Sequence, residues 1–172
     1  LFVYASGPQG RLIKSLETEN WKSWSHWLPC DRLLVATAPA MSPVPAFAQV
    51  SAFNAGWLGI YPLMDRTALV AAWSSDHASR SDVVEVVSAL SGLRIEGEIV
   101  VSPLAQGMRR RQWIGNCVAV GDTGTSLEPL DGAQLHMLHT GLSYLVALFP
   151  VDAHDMPEAQ VFNAKILAHA RN

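Results

Sequence analysis

Three β-favouring runs, residues 47–53, 57–61 and 67–73, follow one another with almost no chain to spare. Only Asn54-Ala55-Gly56 and Leu63-Met64-Asp65-Arg66 separate them. Connections that short join antiparallel neighbours, because a parallel pair needs a crossover of about a dozen residues or more. The segment therefore predicts an antiparallel meander. A further strand over 32–37 precedes it, across a connection holding Pro39, Pro43 and Pro45, and another over 94–101 follows it. Between them Val83, Val86, Val87 and Leu90 recur at helical spacing, with Ser79 or Ser81 as N-cap and Gly92 as the stop.

The flanks have a different rhythm. Residues 1–4 read as a strand halted by the turn residues 5–10, and 21–31 is an irregular stretch carrying Trp21, Trp24, Trp27 and His26. Those tryptophans either wall a pocket or, more commonly at such density, pack a core. A short buried strand over 118–120 runs into the small-residue loop GDTGTSLE, which leads into an apolar helix over 129–149. Pro129 suits its first turn, Leu138, Leu142, Leu145 and Phe149 form its stripe, and Pro150 ends it. A last helix is expected over 157–170. The sum is a mixed α/β (α+β) body. Its strand, loop and helix N-terminus over 118–135 is the arrangement that offers backbone N–H groups to an anion.

Composition narrows the function classes. With 172 residues, 49% hydrophobic and 16% charged, the chain can bury a real core. A net charge of -3 argues against nucleic acid, and the one dense basic run is Arg109-Arg110-Arg111. No apolar run is long enough for a membrane span. Cys30 and Cys117, far apart and outside any CxxC, predict neither a disulfide scaffold nor a zinc site, and so a reducing, cytoplasmic setting. A chain opening on Leu1 in mid-strand reads as a piece of a longer polypeptide. G-x-G-x-x-G and Walker motifs are both absent. The helical pair His136 and His139 suits packing better than metal, no metal site is expected, and Ser74-Ser75-Asp76-His77 is adjacent in sequence without being a triad.

Five stretches in order carry more than any of them alone: WSHWLPCDR (24–32), GWLGIYPLMDRT (56–67), SSDHAS (74–79), RRRQWIGNCVAVG (109–121) and LEPLDGAQLHMLHTGLSYLVALFP (127–150). In that order and spacing they resemble the flavin-dependent tryptophan halogenases, and the opening LFVYASGPQGRLI resembles the family's strand, Ser-Gly turn and helix. The resemblance runs from residue 1 to about 163. It implies an FAD enzyme of the p-hydroxybenzoate-hydroxylase-like fold, of which this chain holds the later part. Residues 1–31 would end the FAD-binding part, 32–101 would form the antiparallel sheet over substrate and flavin, and 109–172 would return to the FAD. The family's glycine fingerprint and catalytic lysine would lie upstream of Leu1.

The same resemblance assigns roles. Gly121 and Asp122 would hold a ribityl hydroxyl, Pro129 and Leu130 would face the flavin ring, and Arg109 would either approach the FAD phosphates or face solvent. Glu128 and Asp131 match the family's acidic segment, with Asp131 replacing the catalytic glutamate one methylene shorter. Ala133 and Gln134 replace the halide-binding Thr-Gly and would act through backbone N–H groups, with His136 beyond them. Trp57 and Pro62 keep the substrate-side pattern, while Gly59 replaces its second tryptophan and Tyr61 its isoleucine. The expected reaction oxidises chloride or bromide through a flavin hydroperoxide to hypohalous acid, which attacks an aromatic, indole-like substrate. A partner reductase would supply reduced flavin, and a homodimer is one expected assembly. Asp122 and Gly59 equally suit an FAD-dependent aromatic monooxygenase, and a non-catalytic fragment is the third reading.

Overall fold

The computed structural model describes residues 1–152 and 155–171. The chain begins with strand β1 (Phe2–Tyr4), helix α1 (Arg11–Leu16) and strand β2 (Trp21–Ser23). Strands β3 (Arg32–Pro39), β4 (Gln49–Phe53), β5 (Gly56–Pro62) and β6 (Arg66–Trp73) come next, followed by helix α2 (Arg80–Ser91) and strand β7 (Glu96–Pro103). Short strands β8 (Gly107–Arg109), β9 (Trp113–Ile114) and β10 (Cys117–Ala119) lead to a 3-10 turn at Gly121–Thr123 and strand β11 (Thr125–Ser126). Helices α3 (Ala133–Ala147) and α4 (Glu158–His169) complete it. Two compact units result: Leu1–Trp24 with Ala105–Asn172, and Ser25–Leu104.

The second unit contains the meander that the short turns dictate, β4-β5-β6, extended by β3 and β7 through longer connections. Its sheet runs β4-β5-β6-β3-β7, every neighbour antiparallel. Period-two alternation puts Leu34, Ala36, Leu58, Ile60, Leu69, Ala71 and Trp73 on one face, where Val83 and Val87 of α2 close the core. α2 starts where Ser79 and Asp82 form a reciprocal capping box and stops at Gly92, whose φ of 64° is open to glycine at no steric cost.

The first unit is built from chain-distant pieces. β1 pairs in parallel with β10, which pairs antiparallel with β9. β8 lies between β2 and β11 in a second small sheet. Asn163 fastens α4 to the first sheet: its Oδ1 accepts from the Gln112 and Trp113 amides at 2.8 and 2.9 Å, and its Nδ2 donates to the Trp113 carbonyl. β2, β8, β9 and β11 carry two or three residues each, too few for an alternation to register in sequence.

Two expectations need correction. The helix read over 129–149 begins only at Ala133, because Asp131 and Gly132 both take left-handed φ values, 50° and 73°. Pro129, Leu130 and Asp131 thus belong to the loop before it. Its buried face is Met137, Gly141 and Leu145, a one-turn repeat that lets the backbone approach its neighbours at Gly141, whereas Leu142 and Phe149 are exposed. The helix over 157–170 stands as α4. No disulfide joins the buried Cys30 and Cys117, and burial pushes the Cys117 thiol up from its ordinary value. No helix among the described residues is long and apolar enough to cross a membrane.

Candidate functional site

β1 and β10, paired side by side, bring the turns that follow them to one place. There Ala5 and Gly7 from the first turn, and Val120, Gly121 and Asp122 from the second, meet Gln134, Leu135 and Leu138 of α3 around a cleft of about 330 Å³. The size falls at the low end of ordinary ligand pockets, about 300–1,000 Å³. Small residues make it possible. Gly121 has φ 58°, a left-handed conformation that glycine takes at no steric cost, and Leu138 lies within van der Waals contact of where a Cβ would sit. Thr123 ties the two turns by donating its hydroxyl to the Gly7 carbonyl at 3.0 Å.

Polar groups converge on the cleft from two directions. Asp122 is half-buried on its wall, and desolvation raises its carboxyl above the usual range. Opposite stands the N-terminus of α3, which no side chain caps. The Ala133 amide donates to the Leu130 carbonyl at 3.0 Å, and the positive end of the helix carries Gln134 and Leu135 on the cleft wall. The Gln134 side chain folds back and donates to the Leu127 carbonyl at 2.8 Å, bracing the loop against the helix it precedes.

That loop holds both candidate acids in different ways. Glu128 is clasped by the buried Gln106, whose Nε2 donates to Oε1 at 2.9 Å while its Oε1 accepts from the Glu128 amide at 3.1 Å. Asp131 is exposed, and since Gly132 occupies the N-cap position without a side-chain bond, its carboxylate is not engaged as a helix cap.

Gly121, Asp122 and Gln134 line the cleft directly, whereas Glu128, Pro129, Leu130 and Asp131 lie in the loop before α3 and Ala133 at its first position, none of them on the lining. His136 does not line it: the ring turns to α4 and bonds His169. The basic run divides three ways. Arg109 is 4% exposed, so the solvent-facing alternative for it fails; its Nε donates to the Thr123 carbonyl at 2.8 Å and its guanidinium lies 5.7 Å from the Trp21 ring. A Cβ at Gly10 would collide with that guanidinium, so the turn before α1 closes only over glycine. Arg110 is exposed, and Arg111 makes a surface ion pair with Glu17 at 2.7 Å. Sequence reasoning missed Ala5, Gly7 and Leu135 at the cleft and Gln106 beneath Glu128. The turn residues 5–10 were the visible signal for the first two, while Leu135 and Gln106 carry none in sequence.

Trp57 and Pro62 lie on β5 in the other unit, Trp57 being buried. Beside Trp57 the departure at Gly59 has a physical counterpart. A Cβ at Gly59 would lie 2.6 Å from Cε2 of the Tyr61 ring, so that ring covers the space a side chain at 59 would use. Among the tryptophans, Trp24 is buried, and Trp27 is 63% exposed against the His26 ring.

A family model described as tryptophan halogenase matches residues 1–171. A tryptophan 6-halogenase of Streptomyces albogriseolus is 27% identical over 96% of this chain and 32% of its own length. A tryptophan 7-halogenase of Lentzea aerocolonigenes is 28% identical over 87% and 29%. Among solved structures, a flavin-dependent halogenase from Brevundimonas sp. superposes with a TM-score of 0.87 at 30% identity, covering 99% of this chain and 35% of that one. Another, from Xanthomonas campestris, gives 0.90 at 25% identity with the same coverage. The chain thus spans about one third of the relatives it matches. The mixed α/β architecture with antiparallel sheets is that of the flavin-dependent halogenase structures, and the chain belongs to the tryptophan halogenase family.

Proposed function

We propose that this chain is the flavin-contacting and substrate-side part of an FAD-dependent halogenase acting on an aromatic, indole-like compound. The cleft at Gly7, Gly121, Asp122 and Gln134 carries the reading. Its donor set fits a reduced flavin: glycines allow close approach of a flat ring, a carboxylate accepts from hydroxyls, and a helix N-terminus favours negative charge. When bound, reduced flavin from a partner reductase supplies, with oxygen, the oxidising equivalent that converts chloride or bromide to hypohalous acid.

The residues of this chain then hold, orient and accept protons. Asp122 would accept a hydrogen bond from a ribityl hydroxyl. Gly121, Pro129 and Leu130 would shape the ring's edge, and Arg109 fixes the turn at Thr123. The first-turn amides of α3, Gln134 foremost because the Ala133 N–H is already engaged, offer the halide its donors. Electrophilic attack leaves positive charge on the substrate ring before a proton departs. Asp131, exposed and free of a capping role, stabilises that charge and takes the proton. Glu128, held by Gln106, contributes fixed negative potential beside it. Trp57 and Pro62 belong to the substrate side in this reading, and His136 only indirectly, through α3.

The test is turnover of indole by the full-length protein with FAD, a flavin reductase and NADH, with and without bromide, read by mass spectrometry. Bromoindole formed only with bromide supports the reading; hydroxyindole formed regardless of bromide assigns a monooxygenase instead. In the same assay Asp131→Asn should keep FAD binding and hypobromite formation while bromination falls about tenfold or more, the range of a general base. Asparagine tolerates the left-handed φ of 50° as aspartate does, so the loop is preserved. Bromination at the parental rate would remove Asp131 from the mechanism.

A further inference from the structure

Packing of α3 on α4, through Met137 and Leu145 against Phe162 and Ile166, brings together two histidines whose side chains take no direct part in the proposed chemistry. His136 Nε2 lies 2.9 Å from His169 Nε2, with ring centroids 5.0 Å apart and planes inclined at 37°. The Thr140 hydroxyl, one turn beyond His136, is 3.5 Å from the same nitrogen of His169. The Tyr144 ring packs edge-on against the His169 ring at 84°, fixing it from a third side. His136 is exposed and His169 half-buried, so solvent reaches the pair.

Two facing imidazole nitrogens can share one proton: one ring donates its Nε2–H and the other offers a lone pair. If the donor ring instead carries its proton on Nδ1, the same atoms become two lone pairs converging from two helices. A tetrahedral ion with bonds of about 2.0–2.1 Å holds two imidazoles with centroids about 5 Å and nitrogens about 3.3 Å apart. Cis positions of a square or octahedral ion bring the nitrogens to about 2.9 Å. The observed spacings lie within this range, so the rings need only turn in place. Among the described residues no group of three or more His, Cys, Asp or Glu could hold a metal. The donor set is therefore two nitrogens with the Thr140 oxygen beside them and water completing the shell. Such a set makes an exchangeable site rather than a closed structural one.

We propose that His136 and His169 form a binding site for a divalent transition-metal ion of the nickel, copper and zinc class, which clips α3 to α4. Binding moves one proton from Nε2 to Nδ1 of the donor ring and displaces two waters from the ion; with both rings neutral, no proton is released. The ion, bound to the folded state alone, raises the melting temperature. The test titrates nickel chloride or zinc chloride into untagged full-length protein by calorimetry, with thermal melting alongside. One saturable equivalent and a raised melting temperature are expected. His136→Ala and His169→Ala should each weaken binding about tenfold or more, since one imidazole cannot chelate. His139→Ala, on the same helix, should leave it unchanged. If either alanine variant fails to fold, His169→Gln takes its place, keeping the size and a hydrogen-bonding group. Affinity unchanged in the His136 or His169 variants, or no saturable binding at millimolar metal, would overturn the proposal.

Discussion

Burial pushes the Asp122 carboxyl up from its ordinary 3.8, a cost that an unliganded fold gains nothing from. The sign follows directly: a carboxyl whose folded value exceeds its unfolded one weakens the fold while ionised. That loss is present above the raised value and is relieved as pH falls through it. Asp122→Asn should therefore melt no lower than the parent at pH 7 without flavin. The gap should close as pH falls through the raised value towards 3.8. Flavin affinity should move the other way, dropping about tenfold or more with the loss of a charge-assisted hydrogen bond. Melting curves at several pH values, paired with flavin titration, check both halves. A variant that melts lower yet binds flavin normally would make Asp122 a structural residue. Asp131 differs in kind: it is exposed, sits at φ 50°, and is two residues short of the helix it was expected to enter.

At the scale of elements, β5 presents the sharpest case. Tyr61 folds its ring over Gly59, so an aromatic surface survives where a tryptophan is absent. Gly59→Trp alone should cost about 1–3 kcal/mol, because two rings then compete for one space. Adding Tyr61→Ile should recover most of it, and urea midpoints of the single and double variants measure the difference. Equal stability of the two would place the ring elsewhere. The meander was legible in the sequence because its turns are too short for any other pairing, and α2 because a serine N-cap and Gly92 mark its ends chemically, Ser79 being the cap and Asp82 completing it in the structure. α3 was misread at both ends. Its apolar composition hid the left-handed pair Asp131-Gly132, and alternation of apolar residues on every side obscured that Met137, Gly141 and Leu145 are the buried ones. β2, β8, β9 and β11 depend on pairings with distant chain, which local pattern does not encode.

At the scale of the molecule, the cleft depends on residues about 115 positions apart, Gly7 with Gly121 and Thr123, brought together by the parallel β1–β10 pair. Its lining from Val120 to Gln134 was legible as strand, glycine turn and a helix to follow, though not where that helix starts. Its other wall was not, because only the fold sets β1 beside β10. Reduced or oxidised flavin should lie in this cleft. A crystal structure of the full-length protein soaked with FAD measures it most directly. Ring density is expected against Gly121, Gln134 and Leu135, with a ribityl hydroxyl within hydrogen-bonding distance of the Asp122 carboxylate. Flavin density that avoids these residues, with Asp122 left in contact with water alone, would contradict it.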